Sequence, residues 1–491
     1  MIETIFVALV VIVTVPVFAF SAYTAALLAA SIRYKEPTPG ALVLDSHASV
    51  SVLLAVYNEA GVVEETLEAL SGVDYPPANL QVIIADDSDD ATKAVVDEWA
   101  QALRGSGIDA RVSRRDGRQG FKAGALNAAS GLLTGDFVLL IDADSRVGPK
   151  VVRRAVDVLR DGPLSFVSFR VGHYNRDATL VTRAFALFQD TIDSLQKMGA
   201  TALSVPFSVQ GGFVLVKRDA LARVGFWKEG ILAEDADLSC RLFSAGFKGA
   251  YLSSCEIPSE DPSALRVWKR QAARVAQGWA QCLRANFRSI VSSSQLDPLR
   301  KTLLLLTMLS PFAARTWLAV TLGSAILIVS RTVDPASSVF SNPVYVFAVT
   351  LPVVVFYLAG TRALWMRRIL GLRNLAVLPA LSYMITSMFT LSAISFASGL
   401  LGRRGDFFRT PKGGHRSQAD AQRGEGLWTV FLEGGLSIAA VVLSLPVFIS
   451  GAPFLGLSLV GFGLATLKSM DLSRFVSKGG LSNGGTGGGR Q

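Results

Sequence analysis

The chain has 491 residues, of which 50% are hydrophobic and 18% are charged, and its mean hydropathy is +0.41. Since a soluble chain usually carries about 25% charged residues, the composition predicts that part of this one lies in lipid and excludes disorder over most of its length. Three cysteines are too few for a disulfide framework and fit a reducing compartment. The net charge of +9 is compatible with nucleic acid, anionic lipid or an anionic substrate as partner.

Long apolar runs near both ends of the chain predict membrane-spanning helices. Residues 4–30 carry no charge and exceed the about 20 apolar residues that cross the hydrocarbon layer. Glu3 precedes this run whereas Arg33 and Lys35 follow it, so a cleaved signal peptide is not indicated and the N-terminus is predicted outside. The other predicted spans are 303–330, 343–361, 434–450 and 453–467.

The run 375–401 is long enough to span, but basic residues flank both of its ends, among them Arg373 and Arg403. Because both ends are then cytoplasmic, we predict an interfacial helix in the headgroup plane. The result is a multi-pass plasma-membrane protein with five spans. Its predicted parts are a transmembrane helix at 1–32, a cytoplasmic domain at 45–295, transmembrane helices at 296–374, the interfacial helix and a loop at 375–425, a transmembrane hairpin at 426–470 and a disordered tail at 471–491.

The cytoplasmic domain has the alternating pattern of an α/β fold. Strands are predicted at 49–56, 80–85, 110–114 and 137–141, and helices at 61–71, 90–104, 121–132 and 235–244. This alternation predicts a parallel sheet with helices on both faces, in which ligands bind beyond the carboxyl ends of the strands. No G-x-G-x-x-G or Walker sequence is present, so dinucleotide and P-loop sites are not supported. The predicted strand ends carry Asn58, Asp86, Asp87, Asp142 and Asp144.

Two features near the fourth strand point to bound phosphate. Asp142 and Asp144 on one extended segment can share a hard cation such as Mg²⁺ or Mn²⁺ that also holds phosphate oxygens; the alternative is a polar turn that ends the strand. Lys122 lies in the first turn of a predicted helix, where the helix dipole disfavours a cation. A bound anion explains that position, and the alternative is a solvated surface lysine.

Two later segments carry candidate catalytic and binding residues. Glu234 and Asp235 open a predicted helix, either as ordinary partners of its dipole or as a general base that accepts a proton from an attacking hydroxyl. Gln271 and Arg274 share a helix face and can meet a diphosphate. Trp279 offers an aromatic plane for a sugar ring. The alternative for this second segment is an amphipathic helix at the membrane surface.

In their order and spacing these motifs resemble the membrane-integrated family-two glycosyltransferases, which include cellulose, mannan and hyaluronan synthases. The β-mannan and glucomannan synthase-like branch is the nearest, through Asp86-Asp87-Ser88 and Glu256-Ile257-Pro258-Ser259. The motifs that carry the resemblance over about residues 45–290 are Tyr57-Asn58-Glu59, Asp86-Asp87-Ser88, Lys122-Ala123-Gly124-Ala125-Leu126-Asn127, Asp142-Ala143-Asp144, Glu234-Asp235 and Gln271…Arg274.

The resemblance implies a glycosyltransferase-A (Rossmann-like) fold and inverting, metal-dependent transfer from a UDP-sugar or GDP-mannose to a glycan or lipid acceptor. It implies Asp235 as the base, with Glu234 beside it, and Asp142 and Asp144 as ligands of Mg²⁺ or Mn²⁺. The implied acceptor residues are Gln210, Gly211, Gly212 and Trp279. The implied nucleotide-sugar-binding residues are Tyr57, Asn58, Glu59, Asp87, Lys122, Asp142, Gln271, Arg274, Thr410 and Lys412. Thr410 and Lys412 belong to the segment Phe407-Phe408-Arg409-Thr410-Pro411-Lys412, which resembles the F-x-V-T-x-K gating loop.

Three departures from the family pattern leave the product open. Val275 follows Arg274 where the synthases have tryptophan, Arg409 replaces a usual valine, and Ala233 replaces the threonine of T-E-D. The leading hypothesis is a processive synthase that extends a β-linked polysaccharide and passes it through a membrane channel, with Arg315 facing either that channel or the acceptor. The alternatives are single-sugar transfer to a membrane lipid and a transporter or scaffold with a vestigial nucleotide-binding domain. No nucleic-acid motif is present, so the positive charge is assigned to loops near anionic membrane lipids.

Overall fold

The computed structural model describes residues 18–39, 48–330, 343–403, 405, 427–450 and 453–469. Within these residues, strands form one seven-stranded sheet in the order β3-β2-β1-β4-β6-β5-β7. The strands are β1 Val50–Val56, β2 Leu80–Asp86, β3 Asp109–Ser113, β4 Phe137–Asp142, β5 Phe166–His173, β6 Phe213–Lys217 and β7 Gly249–Ser259.

Helices connect the strands and continue beyond the sheet. Those associated with the sheet are α1 Phe18–Ile32, α2 Ala60–Ser71, α3 Thr92–Gly105, α4 Phe121–Ser130, α5 Val151–Leu159, α6 Leu180–Ile192, α7 Gly199–Leu203, α8 Arg218–Arg223, α9 Glu234–Ser244 and α10 Leu265–Ser292, with a π-helical turn, Asp193–Met198, between α6 and α7. The later helices are α11 Pro298–Val329, α12 Pro343–Met366, α13 Leu372–Leu375, α14 Val377–Ser387, α15 Phe389–Leu400, α16 Leu427–Ile449 and α17 Pro453–Ser469.

The sheet is mixed, which corrects the parallel sheet expected from the sequence. Strands β1 to β4 are parallel as predicted, but β6 runs antiparallel to both β4 and β5. After β5 ends, the helices that follow it return the chain to the same end of the strands. Strand β6 therefore begins beside the carboxyl end of β5. Because Phe213 pairs with Ile141, the residues just before β6 lie beside the carboxyl end of β4.

Apolar side chains cover both faces of the sheet. Val52 and Leu54 of β1 belong to a core cluster on one face, whereas Leu53 of the same strand belongs to a second cluster on the other face. All three are fully buried. A strand buried on both faces has to be apolar at nearly every position, which explains why these strands are continuous hydrophobic runs.

The later helices pack directly against the sheet domain through both apolar and ionic contacts. Phe185 and Trp268 join helices α12 and α14 in a third apolar cluster. Arg367, which directly follows α12, lies 2.7 Å from Asp190 of α6, whose side chain is 1% exposed. Arg362 of α12 donates from Nε to the Ser31 hydroxyl of α1 at 2.9 Å. The helices that follow the domain are therefore anchored to it by specific pairs.

One ion pair joins α10 to α16 across 164 residues of sequence. Lys269 Nζ lies 2.8 Å from Glu433 Oε2, and neither side chain has measurable solvent exposure. Burying two charges is costly unless they are paired, so this contact fixes the start of α16 against the first turns of α10.

Few of the described helices are long and apolar enough to cross a membrane. Phe431–Ile449 in α16 is long and apolar enough to cross a bilayer, and a second candidate forms if Leu372–Ser387 and Phe389–Leu400, bent by 45°, count as one broken span. The predicted interfacial segment 375–401 thus folds as two helices. Shorter apolar helices lie at Phe18–Ile32, Val354–Met366 and Leu455–Lys468. The five spans, the interfacial placement and the domain boundaries stay predictions.

The buried pair predicts an asymmetry between single and double substitutions. Lys269→Met leaves Glu433 buried without its counter-charge, and we expect the free energy of unfolding to fall by about 3 kcal/mol or more. Lys269→Met combined with Glu433→Met removes both charges and is expected to recover most of that loss. Arg153→Met, at the exposed Arg153–Asp74 pair, is the control and should cost under about 1 kcal/mol. Unfolding in detergent measures all of these, and an equal loss in the single and double variants would contradict the expectation.

Candidate active site

The candidate site lies where β4 ends and helices α4 and α9 begin. Asp142 is the last residue of β4, Lys122 is the second residue of α4, and Glu234 and Asp235 are the first two residues of α9. Lys122 Nζ lies 2.6 Å from Asp142 Oδ1 and 3.2 Å from Glu234 Oε1. The fold thus brings together the lysine and the acidic residues that the sequence analysis singled out.

A left-handed turn aims Lys122 into the site. Gly120 has a φ of 71° and Phe121 a φ of 49°, which is the region that glycine adopts at little cost. A side chain at position 120 would also collide with Glu229. The turn starts α4 abruptly after the loop, so Lys122 reaches Asp142 from the first turn of the helix.

Asp235 is half-buried and is held by two backbone donors. Its Oδ2 accepts the Gly211 N–H at 2.9 Å, and its Oδ1 accepts the Ala236 N–H at 2.8 Å. Burial and the adjacent Glu234 carboxylate raise the pKa of Asp235 from its ordinary 3.8 to about 6, against the opposing charge of Lys122. A carboxylate with this pKa is ionised at neutral pH and remains a better proton acceptor than an exposed aspartate.

Two glycines allow β6 to begin next to the acidic residues. A Cβ on Gly212 would lie 2.5 Å from Asp142 Oδ2 and 2.8 Å from the Asp142 backbone nitrogen, so no larger residue fits there. A Cβ on Gly211 would lie 3.1 Å from Lys122 Nζ and 3.3 Å from Glu234 Oε1. The antiparallel direction of β6 is therefore what places these predicted acceptor residues within the site.

The two aspartates at the end of β2 are paired with arginines. Asp87 accepts hydrogen bonds from Arg115 Nε at 2.8 Å and Arg115 Nη2 at 2.7 Å, and Asp86 accepts one from Arg114 Nε at 2.9 Å. The sequence analysis missed both arginines. Their signal was a basic cluster, Arg114-Arg115…Arg118, directly after the predicted third strand.

The end of β1 faces the same loop. The Arg118 guanidinium lies 3.2 Å from the centre of the Tyr57 ring. Asn58 has a φ of 53° and exchanges hydrogen bonds with Asp89, by its side-chain amide nitrogen at 2.7 Å and its amide oxygen at 3.0 Å. Glu59 precedes α2, and its carbonyl accepts the first backbone bonds of that helix. The carboxyl ends of β1, β2 and β3 thus form one polar rim beside Lys122.

The Asp142–Asp144 pair offers hard oxygen ligands to a divalent cation. The Asp142 side chain is 34% exposed, whereas Asp144 is buried and accepts the Glu260 N–H at 2.9 Å. Among the described residues, no group of three or more His, Cys, Asp or Glu side chains is arranged to hold a metal by itself. This donor set fits Mg²⁺ or Mn²⁺ that is bound by one or two carboxylates together with substrate phosphates.

Helix α10 borders the site by packing against the segment that begins α9. Arg274 donates from Nη1 to the Leu232 carbonyl at 3.0 Å, just before α9, and its charge acts on Asp235. A Cβ on Gly278 would lie 2.6 Å from the Ala233 backbone nitrogen, so this glycine allows α10 to touch the start of α9. Gln271, one turn before Arg274, has a buried side-chain oxygen with no hydrogen-bond partner within the described residues.

The remaining predicted site residues have different settings. Gln210 accepts a hydrogen bond from Lys197 Nζ at 2.6 Å. Trp279 is partly buried against the core cluster that also contains the start of α9, and its contact with an acceptor stays a prediction. Thr410 and Lys412 lie outside the described residues.

Comparisons with known proteins agree on one family. The model described as "Glycosyl transferase family group 2" matches residues 137–398. Glucomannan 4-beta-mannosyltransferase 2 of Arabidopsis thaliana is 29% identical over 252 residues, which cover 50% of this chain and 47% of that protein. Glucomannan 4-beta-mannosyltransferase 9 of the same plant is 28% identical over 277 residues, covering 55% and 52%. The chain spans about half the length of the curated relatives it matches.

A solved structure shares the fold. Mannosyltransferase PcManGT from Pyrobaculum calidifontis, in complex with GDP-Man and Mn2+, superposes with a TM-score of 0.51 at 21% identity and covers 75% of this chain and 100% of that chain. This likeness shows a mixed α/β sheet of the glycosyltransferase-A type, which is the fold that the sequence resemblance implied.

The raised pKa of Asp235 predicts a pH-dependent cost in stability. Between pH 3.8 and about 6 the folded protein keeps a proton on Asp235 that the unfolded chain has lost, so this residue's contribution to stability falls as the pH rises through that window. We therefore expect Asp235→Asn to be more stable than the wild type at pH 7 and about equally stable near pH 4. Thermal unfolding in EDTA-containing buffer at both pH values measures this difference. An advantage that is the same at both pH values would be evidence against a raised pKa.

Proposed function

The chain belongs to glycosyl transferase family group 2, and we propose that it is a hexosyltransferase that moves a sugar from a nucleotide-sugar donor to an acceptor hydroxyl. The observation that carries this proposal is the half-buried Asp235 carboxylate, which has a raised pKa and is fixed by the Gly211 N–H within the loop that also touches Lys122 and Asp142. A positioned carboxylate with a pKa near the working pH is what general-base catalysis requires.

Asp235 would accept the proton of the attacking hydroxyl. Its two backbone hydrogen bonds hold the carboxylate in one orientation, so the oxygen that takes the proton is fixed before substrate binds. Attack on the anomeric carbon from the face opposite the leaving diphosphate inverts the configuration at that carbon. Inversion is therefore part of the proposal.

Charges at the end of β4 and on α10 would stabilise the leaving diphosphate. Lys122 stands between two carboxylates and can contact phosphate oxygens, and Arg274 adds a second cation from α10. Asp142 and Asp144 would hold Mg²⁺ or Mn²⁺, and the ion would neutralise charge on the diphosphate. The polar rim with Tyr57 and Asp87 is then the proposed nucleoside side of the site.

GDP-mannose is the proposed donor and a β-linked mannan or glucomannan the proposed product. The support is the printed names of the relatives, glucomannan 4-beta-mannosyltransferases, together with the GDP-Man bound in the structure that shares the fold. A UDP-sugar donor stays open, as does transfer of a single sugar to a membrane lipid, which the departure at Val275 favours.

The proposed site of action is the inner face of the plasma membrane, with the chain passing through the bilayer and the glycan moving outward. The ion pair between Lys269 and Glu433 supports part of this arrangement, because it holds the start of the candidate span Phe431–Ile449 against the sheet domain. That end of α16 would therefore face the cytoplasm.

A donor panel tests the proposed chemistry. Purified protein in detergent or nanodiscs is incubated with Mn²⁺ and radiolabelled GDP-mannose, UDP-glucose or UDP-N-acetylglucosamine, and both released nucleotide and product size are measured. We expect turnover with GDP-mannose and material of high molecular weight. A single labelled lipid product would show that the acceptor is a membrane lipid and that no polymer is made. No turnover of any donor would contradict the proposed function.

Removal of the proposed base should separate binding from transfer. We expect Asp235→Asn to lower the rate of sugar transfer by at least about a hundredfold, because the amide cannot accept the proton, while affinity for the nucleotide changes little. Initial rates and isothermal titration with GDP measure the two quantities. Asp219→Asn, in the first turn of α8, is the control. Asp237→Asn is avoided, although Asp237 lies on the same helix as Asp235, because Asp237 pairs with Arg241. Near-normal transfer by Asp235→Asn would disprove the assignment.

A further inference from the structure

A buried lysine that the proposed chemistry does not use lies close to the site. Lys197 belongs to the π-helical turn Asp193–Met198, and its side chain is 2% exposed. Its ammonium lies 2.8 Å from Asp193 Oδ1, whose side chain is 3% exposed. Single π-helical turns are frequent at functional sites, and buried lysines are rare unless they are paired.

Lys197 has a supporting partner, Asp193, and a target, Gln210, which the lysine holds in place. On the support side, Asp193 Oδ2 accepts hydrogen bonds from the Tyr251 hydroxyl at 2.9 Å and the Val171 N–H at 3.3 Å, so the carboxylate is fixed to β7 and β5. On the target side, Lys197 Nζ donates to Gln210 Oε1 at 2.6 Å. The lysine thus ties the residue just before the two glycines to the edge of the sheet that β5 and β7 form.

The loop fixed by this contact is the one that orients the proposed base. Gln210 is followed by Gly211, whose N–H donates to Asp235 Oδ2 at 2.9 Å and whose carbonyl lies 3.4 Å from Lys122 Nζ. Gly211 and Gly212 have no side chains, so Gln210 is the residue of this peptide whose side chain can anchor it. The Lys197–Gln210 bond is therefore an anchor that sets the direction of the Gly211 N–H.

We propose that Lys197 is a positioning residue for the transfer reaction: through Gln210 it fixes the Gly211 N–H that orients the Asp235 carboxylate. This inference rests on the proposed role of Asp235. It explains why a buried charge is kept at this position, since a neutral side chain of similar size would fill the space but would not hold the Gln210 amide. A displacement of the base of about 1 Å is enough to lower a rate by up to a hundredfold.

A double-mutant cycle tests the proposal. Lys197→Met and Gln210→Leu are each expected to lower kcat for mannose transfer about tenfold with little change in the KM for the donor, because the nucleotide side of the site is untouched. Since both variants break the same anchor, the double variant should lose no more than either single one. Independent effects would multiply to a loss of about a hundredfold, and that result would overturn the proposal.

Two further variants distinguish a positioning role of Lys197 from an effect on the stability of the protein. Tyr75→Phe removes the hydrogen bond from the Tyr75 hydroxyl to the Ala48 carbonyl, which lies just before the amino end of β1 and away from the site, so it should lower the melting temperature without lowering kcat. If Lys197→Met does not fold, Asp193→Asn/Lys197→Met removes both buried charges and replaces it in the cycle. A loss of kcat in Tyr75→Phe equal to that of Lys197→Met would show that the lysine acts through stability alone, and would overturn the proposal.

A readout without substrate keeps this test separate from the proposed function. Hydrogen exchange of the backbone amides over residues 205–213, measured in the absence of donor, is expected to be faster in Lys197→Met and in Gln210→Leu than in the wild type and unchanged in Tyr75→Phe. Unchanged exchange in Lys197→Met would overturn the positioning role even if the enzyme transfers sugar. Absence of transfer by the wild type would instead count against the proposed function.

Discussion

The structure depends on one ammonium group between carboxylates. Lys122 is shared by Asp142 at the end of β4 and Glu234 at the start of α9, and Asp235 lies next to Glu234. Although burial favours the neutral amine, Asp142 and Glu234 hold the pKa of Lys122 above its usual range. Without this cation, carboxylates from two separate segments would repel one another at the point where those segments meet. The lysine is thus a structural counter-charge and, in the proposed function, the group that meets the phosphate.

That arrangement depends on the direction of a single strand. Because β6 is antiparallel to β4, its first residues lie at the carboxyl end of β4, and only glycine at position 212 lets the two backbones approach so closely. Had β6 run parallel, its carboxyl end would lie there instead, and the Gly211 N–H that binds Asp235 would lie elsewhere. The antiparallel strand therefore brings the proposed acceptor loop to the proposed base.

Local sequence patterns predicted much of this fold. The strands ending at Asp86 and Asp142 and the helix beginning at Glu234 agree with the sequence prediction, because each is a hydrophobic run or periodicity that ends at charged residues. The proximity of Lys122 to Asp142 and Glu234 was predicted from two things together: the rule that ligands bind beyond strand ends, and the family resemblance.

What the sequence could not predict are features set by distant contacts. The direction of β6 depends on how α6 and the π-helical turn return the chain to the sheet, and no local pattern encodes that path. Lys197 looks like an ordinary polar position of a helix until the fold buries it beside Asp193. Arg115 gave a visible signal as part of a basic cluster, but its partner on a neighbouring strand became apparent only in the folded protein.

The contact between Lys269 and Glu433 has a consequence for how the protein is made. Ribosomes add about 5–20 residues per second, so the 164 residues between the two partners correspond to a delay on the order of ten seconds or more. During that interval α10, which carries Gln271 and Arg274, has been synthesised but has not received the clamp from α16. The helix that carries the proposed diphosphate-binding residues would thus reach its final packing only after α16 emerges.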